Sequence, residues 1–267
     1  MSLWLAGLIV LGVGALAGLA FVLLDRMAGK PIVPEAARGG PPLIVSGALF
    51  AVVLAFVTLA AFQTYNTSKI GAQTEADAVL DMARTAALFP PSQRDQLRAD
   101  LICYGRAVVN EEWPAMRNGH PSPSVDYWIG AWRAEFLRLD LGSPRDQLSF
   151  EDLLNLANTR TAGRQQRLSQ ATPSVPTPLW LALVFGGCIV VALQLSLAGS
   201  GVRAHALLVA GLAAVVAAGL LVIYILDHPY QSHAGGVQPG AMRRTLVMMG
   251  NLDPTIRPGC TESGQPG

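Results

Sequence analysis

The sequence predicts an all-α membrane protein with four spanning helices and a helical insert between the second and the third. Three observations predict it. Residues 179–198 and 204–226 are two apolar runs, back to back, without a single Asp, Glu, Lys or Arg. Residues 3–24 and 43–62 are two further uncharged runs. Each of the four can cross roughly 30 Å of hydrocarbon as a helix, and a helix closes its backbone hydrogen bonds within itself, as lipid demands. The whole chain is 51% hydrophobic and only 14% charged, whereas soluble domains carry about 25% charged residues.

Taken in order, residues 3–24 have no basic flank of the signal-peptide kind and too long an apolar part, so they read as a first spanning helix. Gly7, Gly12, Gly14 and Gly18 in it suit close helix–helix approach. Residues 25–42 are rich in Pro and Gly and read as a loop, with Pro41-Pro42 opening the next helix. The second span, 43–62, has a small-residue face of Ala48, Ala51, Ala55 and Thr58. Another face carries Val52, Phe56, Leu59 and Gln63. The polar stretch from Gln63 to Thr67 marks a membrane boundary and closes a first domain, 1–66.

Residues 67–178 have soluble composition and form the insert. Four helices are expected there: 68–89, stopped by Pro90-Pro91; one capped by Ser92 and running to about 116, bent by Pro114; 124–141; and one opened by Ser143-Pro144 and running to about 171. In the third, Trp128, Trp132 and Phe136 recur at i, i+4, i+8 and make an apolar stripe. Residues 179–227 form the hairpin of spans three and four, joined through Gly199-Ser200-Gly201-Val202-Arg203. Residues 228–267 are a polar tail with a short helix near 239–250 and a disordered end, 251–267.

Four spans place both termini and the insert on one side. Lys69, Arg84, Arg160, Arg164, Arg167, Arg243 and Arg244 lie near the spans on that side, against Arg26, Lys30, Arg38 and Arg203 on the other. The positive-inside rule then makes the insert cytoplasmic. Trp4, Tyr65, Trp180, Tyr224 and Tyr230 would anchor at the insert's interface. Cys103, Cys188 and Cys260 are far apart and form no CxxC pair, which argues against a disulfide framework or a zinc site. An unpaired Cys103 suits the reducing cytosol.

The chemistry-bearing residues are few. Arg160, Arg164 and Arg167 share one helix face. They could attract small anions or anionic headgroups. The more ordinary use is ion pairing with Glu75, Asp77 or Asp81. Asp227 ends the fourth span, where a carboxylate opposes the helix dipole by ~0.3–1 kcal/mol. An insert arginine or plain exposure would offset that, so Asp227 and Glu75 are the candidate carboxylates of a structural ion pair. Phe56, Leu59 and Phe62 could narrow a pore and gate it by dewetting, although packing is the commoner use of such side chains. His228 and His233 lack a third metal ligand, and Glu111-Glu112-Trp113-Pro114 lacks a nucleophile or phosphate loop, so a structural role suits it. No catalytic constellation, cofactor motif or nucleic-acid surface stands out, and a net charge of +1 steers no nucleic acid. The expectation is a non-enzyme without cofactor or metal.

Several short stretches, spread over most of the chain, share an order and spacing. They are Tyr65-Asn66, Glu75-Ala76, Tyr104 with Glu111-Glu112-Trp113-Pro114, Arg160 with Arg164 and Arg167, Pro178-Leu179-Trp180, and Leu226-Asp227-His228-Pro229-Tyr230. In these the chain resembles the bacterial bestrophin-like membrane proteins. The resemblance implies a pentameric channel of four-span subunits with a helical cytosolic part. It also implies a hydrophobic neck on the second span and passage of small anions. The candidate neck is then Phe56, Leu59 and Phe62. Two features depart from the pattern: no acidic run matches a calcium clasp, and the usual Pro-Phe-x-Gly turn is Pro229-Tyr230 with a displaced Gly235. The expected protein is a homo-oligomer of the inner (plasma) membrane. The alternative is a non-conducting scaffold whose insert docks a soluble partner.

Overall fold

A computed structural model of the protein describes residues 3–28, 36–196, 202–231 and 235–267. Lys30, residues 199–201 and His233 lie outside the described residues, and the side chain of Arg38 is likewise outside them. The all-α class holds. Among the described residues there are nine α-helices: α1 Leu3–Ala28, α2 Ala36–Thr85, α3 Pro91–Ala107, α4 Trp113–Met116, α5 Pro123–Phe136, α6 Pro144–Leu168, α7 Thr177–Ser196, α8 Val202–Asp227 and α9 Gly240–Leu252. A five-residue π turn, Val108–Glu112, joins α3 to α4.

Helix α2 departs most from the sequence expectation. Residues 63–67 do not end it; it runs on for 50 residues and absorbs the first insert helix. Polarity changes the solvent a helix meets, but nothing between Gln63 and Thr67 removes a backbone donor or clashes with the preceding turn. The Thr64 hydroxyl simply bonds back to the Ala60 carbonyl. A 3₁₀ turn, Ala86–Leu88, and Pro90-Pro91 stop the helix. Pro41 and Pro42 fall inside α2 rather than at its start. The N-cap of α3 is Pro90, not Ser92, with proline at the first helical position. Helix α6 opens as expected at Ser143-Pro144. Ser143 and Asp146 form a reciprocal capping box, in which the Ser143 Oγ accepts from the Asp146 N–H and the Asp146 carboxylate accepts from the Ser143 N–H.

The chain divides into two compact units. The first holds residues 1–64, 173–228 and 232–236; the second holds 65–172, 229–231 and 237–267.

Within the first unit, small residues set the packing. A Cβ at Gly14 would sit 2.9 Å from the Ala210 carbonyl oxygen, and one at Gly18 3.2 Å from that of Ala206, so α1 and α8 touch backbone to backbone. Gly7 and Gly12 face open space. Phe50 and Leu54 of α2 fill the gaps left by Gly186, Gly187 and Gly219 on α7 and α8. Behind them Val57, Ala61, Val175, Leu183 and Ile223 form a small core. His205 meets the Phe21 ring at a tilt and is bonded through its Nε2 to the Gln194 carbonyl. Among the described residues four helices are long and apolar enough to cross a membrane, and no more than 22% of the most apolar 18-residue stretch of each is buried within the protein.

Within the second unit, the expected Trp128, Trp132 and Phe136 stripe of α5 is buried in the main core. Phe136 stacks between Trp132 and Phe150. The end of the chain, expected to be disordered, is ordered. Cys260 forms a disulfide with Cys103 across 157 residues, which overturns the expectation of unpaired thiols. Trp128 Nε1 donates to the Gly264 carbonyl, Asn110 to that of Glu262 and Arg106 to that of Thr261. Gly264, at φ +89°, lets this segment lie directly on the backbone of Ala107, where any Cβ would collide. Cys188 is free and exposed.

Candidate functional site

Two places carry the chemistry: a buried ion cluster in the second unit and the outward face of α2 in the first.

The cluster begins with two glycines. A Cβ at Gly163 on α6 would come within 2.6 Å of the Glu75 backbone nitrogen. One at Gly71 on α2 would come within 2.9 Å of the Arg167 nitrogen. Lacking both Cβ atoms, the two helices meet backbone to backbone, and Glu75 lies within reach of Arg167. Arg167 is fully buried. Its Nε donates to Glu75 Oε2 at 2.6 Å and its Nη2 to Glu75 Oε1 at 2.8 Å. The same Nη2 donates to Glu112, which the π turn presents. Glu112 also receives the Arg164 fork, and Arg164 reaches on to Asp126 at 2.7 Å. Tyr104 donates its hydroxyl to Glu75. The Trp113 ring faces the Arg167 guanidinium at 5.1 Å, while Trp113 Nε1 is held by the Val237 carbonyl. Tyr230 meets Trp113 edge-on and donates to the Arg167 carbonyl at 3.0 Å.

A buried charge is tolerated only when paired and hydrogen-bonded, and these groups satisfy that rule reciprocally. Burial pushes the Glu112 carboxyl up, but Arg167 and Arg164 outweigh it and hold it below the ordinary range. Burial pulls Arg167 down, and Glu75 and Glu112 more than reverse this. Arg164 is likewise raised against its burial by Glu112. Burial, then the Glu75 charge, drives the Tyr104 hydroxyl well above its usual value, and burial takes Tyr230 to about 12. Both tyrosines therefore stay neutral donors.

The sequence-predicted residues fare differently. Arg167 and Glu75 come together. Asp77 and Asp81 do not join them: Asp77 accepts from Gln73, and Asp81 pairs with Arg84. Arg164 binds Glu112, a partner not foreseen. Its one signal was position, a carboxylate directly before Trp113-Pro114. Arg160 is buried but meets no carboxylate; its guanidinium lies over Tyr104 at 5.0 Å and Trp132 at 5.8 Å. Asp227 departs from both readings offered for it. It is fully buried, and its Oδ1 accepts from the Ser174 and Val175 backbone N–H groups and the Ser174 hydroxyl, at 2.8, 2.9 and 3.0 Å. Neutral donors just before α7, not an arginine and not solvent, offset the helix-dipole cost. Asp227 and Glu75, named together as ion-pair carboxylates, thus have different kinds of partner.

On α2, residues Phe50, Leu54, Val57 and Ala61 face the packed interior of the first unit. The opposite side leaves Phe56 69%, Leu59 53% and Phe62 51% exposed. No group of three or more metal-ligating side chains is found among the described residues.

Four apolar helices with glycine-mediated contacts define a polytopic helical membrane protein. The chain belongs to the bestrophin-like family: the model of the Bestrophin-like domain matches residues 14–238. Its fold is similar to that of a bacterial bestrophin homolog from Klebsiella pneumoniae. A single-residue variant of that protein superimposes with a TM-score of 0.71 at 14% identity, covering 91% of this chain and 98% of that one. The form phased on zinc gives 0.67 at 15% identity, with the same coverage. A variant described as a membrane protein gives 0.68 at 15% identity over 97% of this chain and 99% of that one. No curated protein matches the chain.

Proposed function

We propose that the chain is one subunit of a homo-oligomeric pore that passes small anions, with Phe56, Leu59 and Phe62 forming its hydrophobic constriction. The observation that carries this is the two-sidedness of α2. Phe50, Leu54, Val57 and Ala61 pack within the subunit, while Phe56, Leu59 and Phe62 lie exposed on the other side, with Leu49 and Val52 and the small face of Ala48, Ala51 and Ala55 exposed as well. The family resemblance supports the same assignment, a neck on the second span of a pentamer. A ring of such side chains conducts when wet and closes when it dewets. Arg164, Arg167, Glu75 and Glu112 are then the frame of the second unit rather than ion contacts, because each already has its partners.

The basic residues near the spans support a reading in which both termini and the insert are on the cytoplasmic side of the inner membrane. The Cys103–Cys260 bond then faces a reducing compartment, where such bonds are typically transient. Non-reducing mass spectrometry of protein from intact cells checks this: a bond that persists quantitatively would put the second unit outside.

The test of the pore is reconstitution in planar bilayers. Discrete anion-selective currents are expected, and Phe56→Ala should enlarge them by widening and wetting the constriction. Silence from wild type and Phe56→Ala alike, in an oligomer whose axis does not pass along α2, would sink the proposal. A soluble protein co-purifying in fixed ratio with a silent particle would establish the scaffold alternative instead.

A further inference from the structure

We propose that Arg160 forms the core of a binding site for a small inorganic anion of the halide type, enclosed with Tyr104 and Trp132 in the second unit. Arg160 is only 4% exposed. Its Nη2 donates to Thr161 Oγ1 at 3.3 Å, but Nε and Nη1 are buried with no acceptor. Thr161 gives its own proton to the Ala157 carbonyl at 2.8 Å, so it offers Arg160 a lone pair and no charge.

The neighbouring carboxylates are already spent. Glu75 accepts from Tyr104 and twice from Arg167; Glu112 accepts from Arg164 and Arg167. Asp126, with 58% of its side chain exposed, meets Arg164 and not Arg160. None of these three carboxylates touches Arg160, whose guanidinium is therefore left without a direct counter-charge. An ionised group in a protein interior without a counter-charge is costly. The faces of Tyr104 and Trp132 offset part of that cost. A ring face still provides no acceptor for N–H groups in the guanidinium plane.

A second observation points the same way. Trp132 Nε1, on a ring the guanidinium faces, is also buried with no acceptor, and an indole N–H can only donate. The cluster thus holds three unanswered donors and one uncompensated positive charge. The complementary ligand accepts only and is negative. Water fits poorly, because it brings two protons of its own and no charge. Enclosure favours a monatomic ion over a phosphate or a headgroup. The site is independent of the pore reading, since binding is measured without current.

The experiment uses the full-length protein in detergent. Sodium chloride or bromide is exchanged against sodium gluconate at constant ionic strength while thermal unfolding is followed. The unfolding temperature should rise with halide and saturate, and bromide crystals should show an anomalous peak between Arg160 and Trp132. Arg160→Met should abolish the halide dependence. Should that variant fail to fold, Trp132→Phe keeps a ring against Phe136 and removes the N–H together with part of the indole's volume. It should weaken halide binding about tenfold, read as the halide dependence measured against that variant's own unfolding temperature in gluconate. The proposal is overturned by a wild type indifferent to halide, by Trp132→Phe with wild-type halide affinity, or by bromide peaks lying only elsewhere. Water alone at Arg160, or a carboxylate from a second copy of the chain there, overturns it equally.

Discussion

The two units bury opposite things. In the first, most large apolar side chains of α1, α2, α7 and α8 are exposed, and the interior is a small core of Val57, Leu183 and Ile223 beside close contacts at Gly14, Gly18, Gly187 and Gly219. In the second, the aromatic and aliphatic side chains are inside, and with them Arg160, Arg167, Glu75 and Glu112. The difference follows from solvent. Lipid is as apolar as leucine, so nothing drives leucine inward in the first unit, and close backbone contact decides the packing. Water drives apolar surface inward in the second. A charge there can follow only if another side chain replaces its hydration.

Removing one member of the ion cluster should have the largest effect. Arg167→Met strands two buried carboxylates and should cost about 3–5 kcal/mol in thermal unfolding of the second unit. Glu75→Gln combined with Arg167→Met should recover part of that loss. If Arg167→Met costs less than Gly-to-Ala changes on the surface, the cluster is not a frame. Next is Cys260→Ser, or reduction of the wild type. Loss of a cross-link over a loop this long should cost about 2–4 kcal/mol and expose the end of the chain to protease.

The comparison itself is sharpened by placing the same defect in each unit. Gly14→Ala pushes α1 off α8, and Gly163→Ala pushes α6 off α2. Each should cost about 1–3 kcal/mol by overpacking, but only Gly163→Ala should also disturb the Glu75–Arg167 pair. A double-mutant cycle with Arg167→Met that is non-additive for Gly163→Ala and additive for Gly14→Ala would show it.

The smallest effect is one of pH. Burial, reinforced by Glu135, raises Asp100 from 3.8 to about 6. A raised carboxyl stabilises the fold fully below its unfolded value and ceases to do so as pH rises through about 6. Asp100→Asn keeps the acceptor that Gln96 uses. It should therefore raise the unfolding temperature at pH 8 and leave it unchanged near pH 4. Glu112 runs the other way. Its lowered value gives stability that is complete above about 4.5 and lost as pH falls through the folded value.

Much of this was legible beforehand, for local reasons. The shared face of Arg160, Arg164 and Arg167 follows from helical spacing, and the α6 start follows from Ser143-Pro144. Glu112 was not legible as the partner of Arg164 because 52 residues separate them, and the Glu75–Arg167 contact depends on Gly71 and Gly163, two glycines with no distinctive surroundings. The Cys103–Cys260 bond was hidden for the same reason, since thiol spacing says nothing about Cα atoms brought to 5.7 Å by folding.

By itself, then, the sequence determined the helical class, the four apolar stretches and the face of α2 that Phe56 and Leu59 share. Each depends on neighbours within a few turns, where chain geometry alone decides what shares a face. Only the tertiary structure decided that α2 is one helix, that Asp227 serves backbone N–H groups, that the chain's end is tied to α3, and that Arg160 is left without a counter-charge. Those outcomes depend on which helices approach closely enough to exclude water, and that distance is written in no single segment.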